Sequence, residues 1–313
     1  LTDVTGVQTC ALPILHPYRP AWNTSQLRSM WHFSKWLLIS GIGDYLTRNL
    51  DQLIAGRVGD THNLGVYNVA ADIGQLPTAE LGPPILRAFL PTLSTIKDDT
   101  DRLHAAVLKT LGAINTLALP AAFGVVALAE LLTLVFLGEK WAGVVPYLEV
   151  FALVGAFKVA VTPFSSLLLL LGFSKLHARL MWVELLAFLL AALAFVPFIG
   201  ILGLAYARLF SAVVYLVLNM HTTKSHSGIR YLSMAAGLWR PLIGAMIMLV
   251  VVSSMPRFSS SIYLDLGLHI FIGIAIYSVF IIGSWWFCRK PDGIEVLALA
   301  WLRRIGRGHG PAA

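Results

Sequence analysis

Cysteine is almost absent. Cys10 and Cys288 stand in no metal-ligand or redox spacing, and no disulfide framework is indicated. Charge is scarce too: Asp, Glu, Lys and Arg make up 12 % of the 313 residues, where soluble domains carry about 25 %. HExxH, CxxC and GxxxxGK[ST] are all missing, so the common zinc-hydrolase and ATPase signatures are missing with them. No basic, aromatic-interleaved soluble segment points to nucleic acid. The chain shows no soluble domain, low-complexity tract or long linker. No cofactor and no metal is implied.

What the chain has in abundance is apolar sequence. Hydrophobic residues make up 57 % of it and the mean hydropathy is +0.75. The fold class is therefore all-α, a polytopic membrane helix bundle. About 20 apolar residues cross a bilayer as a helix, and eight such runs are expected: Trp31–Ala55, Gly65–Leu90, Val107–Leu137, Val144–Leu171, Leu176–Ile199, Ile201–His221, Leu238–Ser253 and Leu266–Phe287. The third and fourth exceed one bilayer and are expected to tilt, kink or project. Residues 15–30 read as a cytoplasmic lead-in and 288–313 as a cytoplasmic tail, part of which (Ile294 to Arg304) can lie as a helix on the membrane surface.

Leu1–Ile14 lacks an initiator Met and the basic start and apolar core of a signal peptide. It resembles the translation of a sequencing adaptor and is set aside from fold reasoning; on that reading the chain is expected to be a fragment, the alternative being a short native cytoplasmic lead-in. Orientation follows from the cations near span ends. Arg87, Lys97, Arg102, Lys109, Lys175, Arg179, Lys224, Arg230, Arg240 and the tail arginines fall on one side, against Arg57, Lys140 and Arg257 on the other. The richer side is the cytoplasmic one, and an even number of spans leaves both ends there.

Against this background a few polar residues within the spans stand out. Asp44, Arg48 and Asp51 follow at i, i+4 and i+7 and share one stripe of a helix. The next span repeats the spacing with Asn68, Asp72 and Gln75, followed by Pro77, Glu80 and Pro83–Pro84. Lys158 shares a stripe with Thr162 and Ser165, and Arg208 lies near the middle of the sixth span. Ionisable groups at membrane depth are costly and face a protein interior or a wet cavity. Two readings stay open for the first stripe: a packing device whose members satisfy one another, or one wall of a transport pathway. Lys158 is either a binding residue or the partner of Glu184 on the next span.

Sorted by chemistry, Arg48, Lys158 and Arg208 are candidate substrate-binding cations, suited to phosphate-bearing lipids. Asp44, Asp51, Asp72 and Glu80 are candidate carboxylates for coupling to protons or Na⁺. The combination suggests a secondary transporter of an anionic amphiphile drawing on a cation gradient. A membrane glycan polymerase or ligase is the alternative of another class, and the short outer connections speak against it.

The order of motifs adds a resemblance. Asp51, Gln52 and Gly56 are followed by Leu64-Gly65-Val66-Tyr67, then Pro77, Phe89-Leu90-Pro91-Thr92-Leu93-Ser94, Pro120 with Gly124, and Leu137-Gly138-Glu139-Lys140-Trp141. From about Trp31 to about Tyr206 the chain resembles the second half of Wzx-like polysaccharide flippases, within the multidrug/oligosaccharidyl-lipid/polysaccharide exporter superfamily. The resemblance implies a two-lobed bundle working by alternating access, with residues 31–221 as the six-helix C-terminal lobe and 238–287 as two additional helices. It implies export of undecaprenyl-pyrophosphate-linked oligosaccharide across a bacterial inner membrane. The partners would be that lipid-linked oligosaccharide, membrane lipids and polysaccharide assembly proteins. Basic residues lining the cavity of such proteins match Arg48 and Arg208; Lys158 matches no family motif. A lipid II flippase or a drug/cation antiporter of the same superfamily remains an alternative.

Overall fold

A computed structural model describes residues 27–96, 99–257 and 261–287. The adaptor-like segment, most of the lead-in, the tail with the surface helix expected for it, Cys10 and Cys288 lie outside the described residues. Among those described there are helices and no strands: α1 (Leu27–Val58), α2 (Thr61–Thr95), α3 (Thr100–Ala127), α4 (Ala129–Phe136), a 3-10 turn (Glu139–Val144), α5 (Val145–Leu170), α6 (Ser174–Ile199), α7 (Ile201–Ser227), α8 (Tyr231–Ser254) and α9 (Ile262–Phe287).

Each of the eight apolar runs falls on helix. Six helical segments among the described residues are long and apolar enough to cross a membrane: α3, the 3-10 turn with α5, and α6 to α9. The chain is thus a multi-pass membrane protein. Neither α1 nor α2 is among the six, although α2 is longer than any of them and α1 is as long as the longest. Their apolar runs are interrupted by the polar stripes described above. The third run is divided at Leu128, where α3 ends and α4 begins.

Proline chemistry explains one contact inside that run. Pro120 has no amide hydrogen, so the carbonyl of Thr116, one turn earlier, loses its helical donor. In a membrane a freed carbonyl must be satisfied by the protein itself. The Tyr277 hydroxyl of α9 donates to that oxygen at 2.7 Å. The bond ties α9 to α3 at the proline.

Helix termini follow ordinary rules. Asp60 caps α2 by accepting from the Asn63 amide at 2.8 Å, and Asp99 caps α3 by accepting from Arg102 at 3.2 Å. α6 turns into α7 through Gly200 at φ 65°, a backbone conformation that favours glycine.

In the packing, α5 and α7 occupy the middle. α5 lies against α2, α3 and α7, while α6 joins α7 to α1, and α8 packs on α3 with α9 outside it. The α2–α5 crossing is close because Gly74 and Gly155 face the opposite helix. A Cβ on Gly74 would stand 2.9 Å from Phe151 Cβ, and one on Gly155 would collide with the Thr78 hydroxyl. Small residues of this kind let membrane helices approach. Tyr67, Phe151, Phe188 and Leu148 fill the core between α1, α2, α5, α6 and α7. Leu190 and Leu193 of α6, Val250 of α8, and Phe271 and Ile274 of α9 are exposed, forming an apolar exterior suited to lipid.

Candidate functional site

Asp51 sits at the hub of the polar residues. It is 5 % exposed, and its Oδ2 accepts from Arg208 Nε at 2.9 Å and from the Tyr67 hydroxyl at 3.1 Å. Its Oδ1 accepts from the Gln52 amide at 2.9 Å. Arg208, also buried, donates through Nη2 to the Thr47 carbonyl of α1. The Arg208 guanidinium lies over the Phe188 ring of α6, 4.7 Å from its centre. Tyr67 in turn packs edge-on against Phe151 of α5, with ring centres 5.0 Å apart. Five helices therefore converge on one ion pair. Burying two charges is expensive, and only direct contact with full hydrogen bonding offsets it. This pair has both, except that Arg208 Nη1 is buried with no hydrogen-bond partner among the described residues.

Arg48 is placed differently. Its side chain is 70 % exposed, and Nε pairs with Asp44 Oδ2 at 2.9 Å along the same helix. Such an exposed i, i+4 pair contributes little to stability. The expectation that Arg48 and Arg208 line one shared hollow differs from what the structure holds. Arg208 is neutralised inside the bundle by Asp51, because α7 places it against α1; Arg48, a little over a quarter turn from Thr47, points outward with its acid. The α1 stripe thus divides into a buried packing device at Asp51 and an exposed pair at Asp44 and Arg48.

Lys158 on α5 is partly buried and makes no ion pair among the described residues. The charges acting on it are those of Arg208, Glu184, Arg48 and Asp51. The two hydroxyls sharing its stripe are used elsewhere. Thr162 donates to the Lys158 carbonyl at 3.3 Å, while Ser165 reaches Tyr215 at 3.5 Å and Asn219 at 3.4 Å on α7. Asp72 and Glu80 are exposed on α2, and Gln75 turns its amide back to the Ala71 carbonyl at 3.2 Å.

Two residues outside the sequence-derived set belong to this centre, Tyr67 and Phe188; Glu184, which the sequence offered only as a possible partner of Lys158, is buried on α6. Tyr67 carried only motif information, and Phe188 is one of many apolar residues in its run. Glu184, 4 % exposed, feels Lys158, Arg208, Asp44 and Arg48. Its position as a lone carboxylate inside a run from Leu176 to Ile199 was the available signal.

The fold and this charged centre define a class: a multi-pass helix bundle with polar helices on part of its exterior. Comparison narrows the class. The fold is shared with the lipid II flippase MurJ in its inward closed conformation (TM-score 0.66, 16 % identity, 88 % of this chain and 58 % of that one). The family model "Polysaccharide biosynthesis protein" matches residues 4–146. Over 175 residues the chain is 30 % identical to an uncharacterized membrane protein in the cps region of Klebsiella pneumoniae, covering 55 % of this chain and 36 % of that protein. Over 154 residues it is 29 % identical to the lipopolysaccharide biosynthesis protein WzxC of Escherichia coli, covering 49 % and 31 %. These findings bear out the resemblance to Wzx-like flippases. The chain spans about a third of the length of these two relatives.

Proposed function

We propose that this chain is the C-terminal part of a flippase that moves undecaprenyl-pyrophosphate-linked oligosaccharide across the bacterial inner membrane for lipopolysaccharide or exopolysaccharide assembly. In this reading residues 31–221 are a lobe, 238–287 two added helices, and both ends are cytoplasmic. Transport is driven by a cation gradient, and the protein is a transporter with no catalytic step of its own. Membrane lipids surround it, and polysaccharide assembly proteins receive its product.

The observation that carries the reading is the exterior of α1 and α2. Arg48 with Asp44, and Asp72 and Glu80, are presented outward on two helices that fail the apolar test the other spans pass. Charges cannot face lipid tails cheaply, so these faces border water and a second lobe. Arg48 is an exposed permanent cation inside the α1 stripe, suited to a pyrophosphate; Arg57 and Arg87, also exposed, lie towards the helix ends.

The test is binding of undecaprenyl pyrophosphate to the purified chain in lipid nanodiscs, read by native mass spectrometry. Binding is expected to fall about tenfold or more in Arg48→Ala, the loss of a charge-assisted contact. Equal binding of undecaprenol, which has no pyrophosphate, or a preference for lipophilic cations, rejects the reading. The second of these outcomes favours a drug/cation antiporter.

A further inference from the structure

A cavity of about 290 Å³ opens at the end of the bundle where α8 stops and α9 begins. Its wall includes Leu128, where α3 gives way to α4, and this break brings the first turn of α4 beside α5 and the end of α8. Glu130 of α4, Glu149 of α5, Ser253 of α8, Arg257 of the α8–α9 connection and His269 of α9 line it. Glu130 and Arg257 are exposed and Glu149 is half-buried, so water reaches the cavity. Among the described residues the side chains of Glu130, Glu149 and Arg257 make no hydrogen bond or ion pair. Two carboxylates and one guanidinium thus face a common space without a protein partner.

A second cavity of about 600 Å³ continues from the first, since Leu128, Val252 and His269 line both. It is an apolar groove between α3, α8 and α9. Ala121 and Gly124 of α3 and Gly273 of α9 have little or no side chain, which leaves the space. Leu117, Ile270, Ile274 and Ile282 on its rim are exposed, so it opens on the apolar exterior. From His269 to Ile282 it follows α9 for ~20 Å, at 1.5 Å per residue. One leaflet of a bilayer offers about 15 Å of hydrocarbon, so a chain of single-leaflet length fits the groove. His269, 3 % exposed, is fixed at the junction by donating from Nδ1 to the Asp265 carbonyl at 2.8 Å.

An occupant of both spaces has an apolar chain joined to a headgroup that carries both signs of charge. We propose that this face of the bundle holds a glycerophospholipid with a primary ammonium beyond its phosphate, of the phosphatidylethanolamine type. Arg257 pairs with the phosphate, Glu130 and Glu149 accept from the ammonium, and one acyl chain lies along the groove. Phosphatidylglycerol offers Arg257 the same phosphate but leaves both carboxylates without a cation. A polyprenyl phosphate lacks the ammonium too. Bound there, the lipid joins the α8–α9 pair to the α3–α4 break. The site shares no residue with Arg48 or with the Asp51–Arg208 pair, and it does not rest on the flippase reading.

The experiment is native mass spectrometry of the purified full chain in detergent micelles. Dioleoyl phosphatidylethanolamine, dioleoyl phosphatidylglycerol and undecaprenyl phosphate are added separately at equal concentration. The ethanolamine lipid is expected to bind about tenfold or more tightly than the glycerol lipid, through charge-assisted contacts to its ammonium. Glu130→Gln combined with Glu149→Gln is expected to erase that preference, and Arg257→Ala to weaken both glycerophospholipids. Ile270→Trp, on the exposed rim, is expected to weaken the ethanolamine lipid by filling the groove. Equal binding of the two glycerophospholipids by the parent, or a preference that survives the double glutamine variant, overturns the proposal. Undecaprenyl phosphate binding that falls in Ile270→Trp while ethanolamine-lipid binding stands assigns the groove to a polyprenyl chain and overturns it equally. If the double variant does not fold, Arg257→Ala on the exposed connection decides, and undiminished ethanolamine-lipid binding there overturns the proposal. The preference is expected to persist in Arg48→Ala, whatever becomes of pyrophosphate binding in that variant; its loss there would contradict a separate site.

Discussion

Removing one member of the Arg208–Asp51 pair tests how five helices are held. In Arg208→Met, Asp51 keeps the Tyr67 hydroxyl and the Gln52 amide but loses its counter-charge. In Asp51→Asn, the guanidinium keeps the Thr47 carbonyl and the Phe188 ring but stays positive in a buried place. Side-chain exposures of 4 % and 7 % leave little solvent to screen the survivor. Each single change is expected to cost about 3–5 kcal/mol, the usual penalty for a stranded buried charge. Removing both charges strands nothing, so Asp51→Asn combined with Arg208→Met is expected to be more stable than either single variant. The assay is unfolding of the purified chain in mixed detergent micelles, followed by tryptophan fluorescence. Single variants within about 1 kcal/mol of the parent, or a double variant whose loss equals the sum of the singles, would refute the pin.

The Tyr277 contact gives a sharper cycle. Tyr277→Phe is expected to cost about 1–2 kcal/mol by leaving the Thr116 carbonyl unsatisfied, and much less in a Pro120→Ala background, where the backbone regains its own donor. An equal cost in both backgrounds contradicts the proline argument. Gly74→Ala is expected to lose about 1–3 kcal/mol by overpacking α2 against Phe151; unfolding in the same micelles checks it, and a neutral result means the crossing can spread. Arg48→Ala is expected to stay within about 1 kcal/mol of the parent, because its pair with Asp44 is solvent-screened. A large destabilisation there would give Arg48 a structural role.

Much of the architecture was legible because bilayer helices write themselves as long apolar runs, and all eight runs fall on helix. The stripes of α1 and α2 were visible for a related reason: a few polar residues at helical spacing interrupt otherwise apolar sequence. What spacing could not supply was partnership. Asp51 meets Arg208, 157 positions away, and Tyr67, 16 away; nothing in one sequence links those positions. Arg208 therefore read as an open cation when it is a neutralised one. Similarly, Pro120 announced a freed carbonyl, while the hydroxyl answering it lies 161 residues from Thr116 on α9. Lys158 and Glu184 were seen as possible mates, and their separation from any contact pair needed coordinates.

The account depends most on α1 and α2 turning their charged faces to water. Spin labels at the positions of a full-length relative aligned with Arg48, Asp72 and Glu80, compared with those aligned with Leu193 and Ile274, measure this directly through collision with a water-soluble nickel complex and with oxygen. The first three are predicted to favour the nickel complex and the last two oxygen. Oxygen-dominated collisions at the first three would place those faces in lipid and contradict the account.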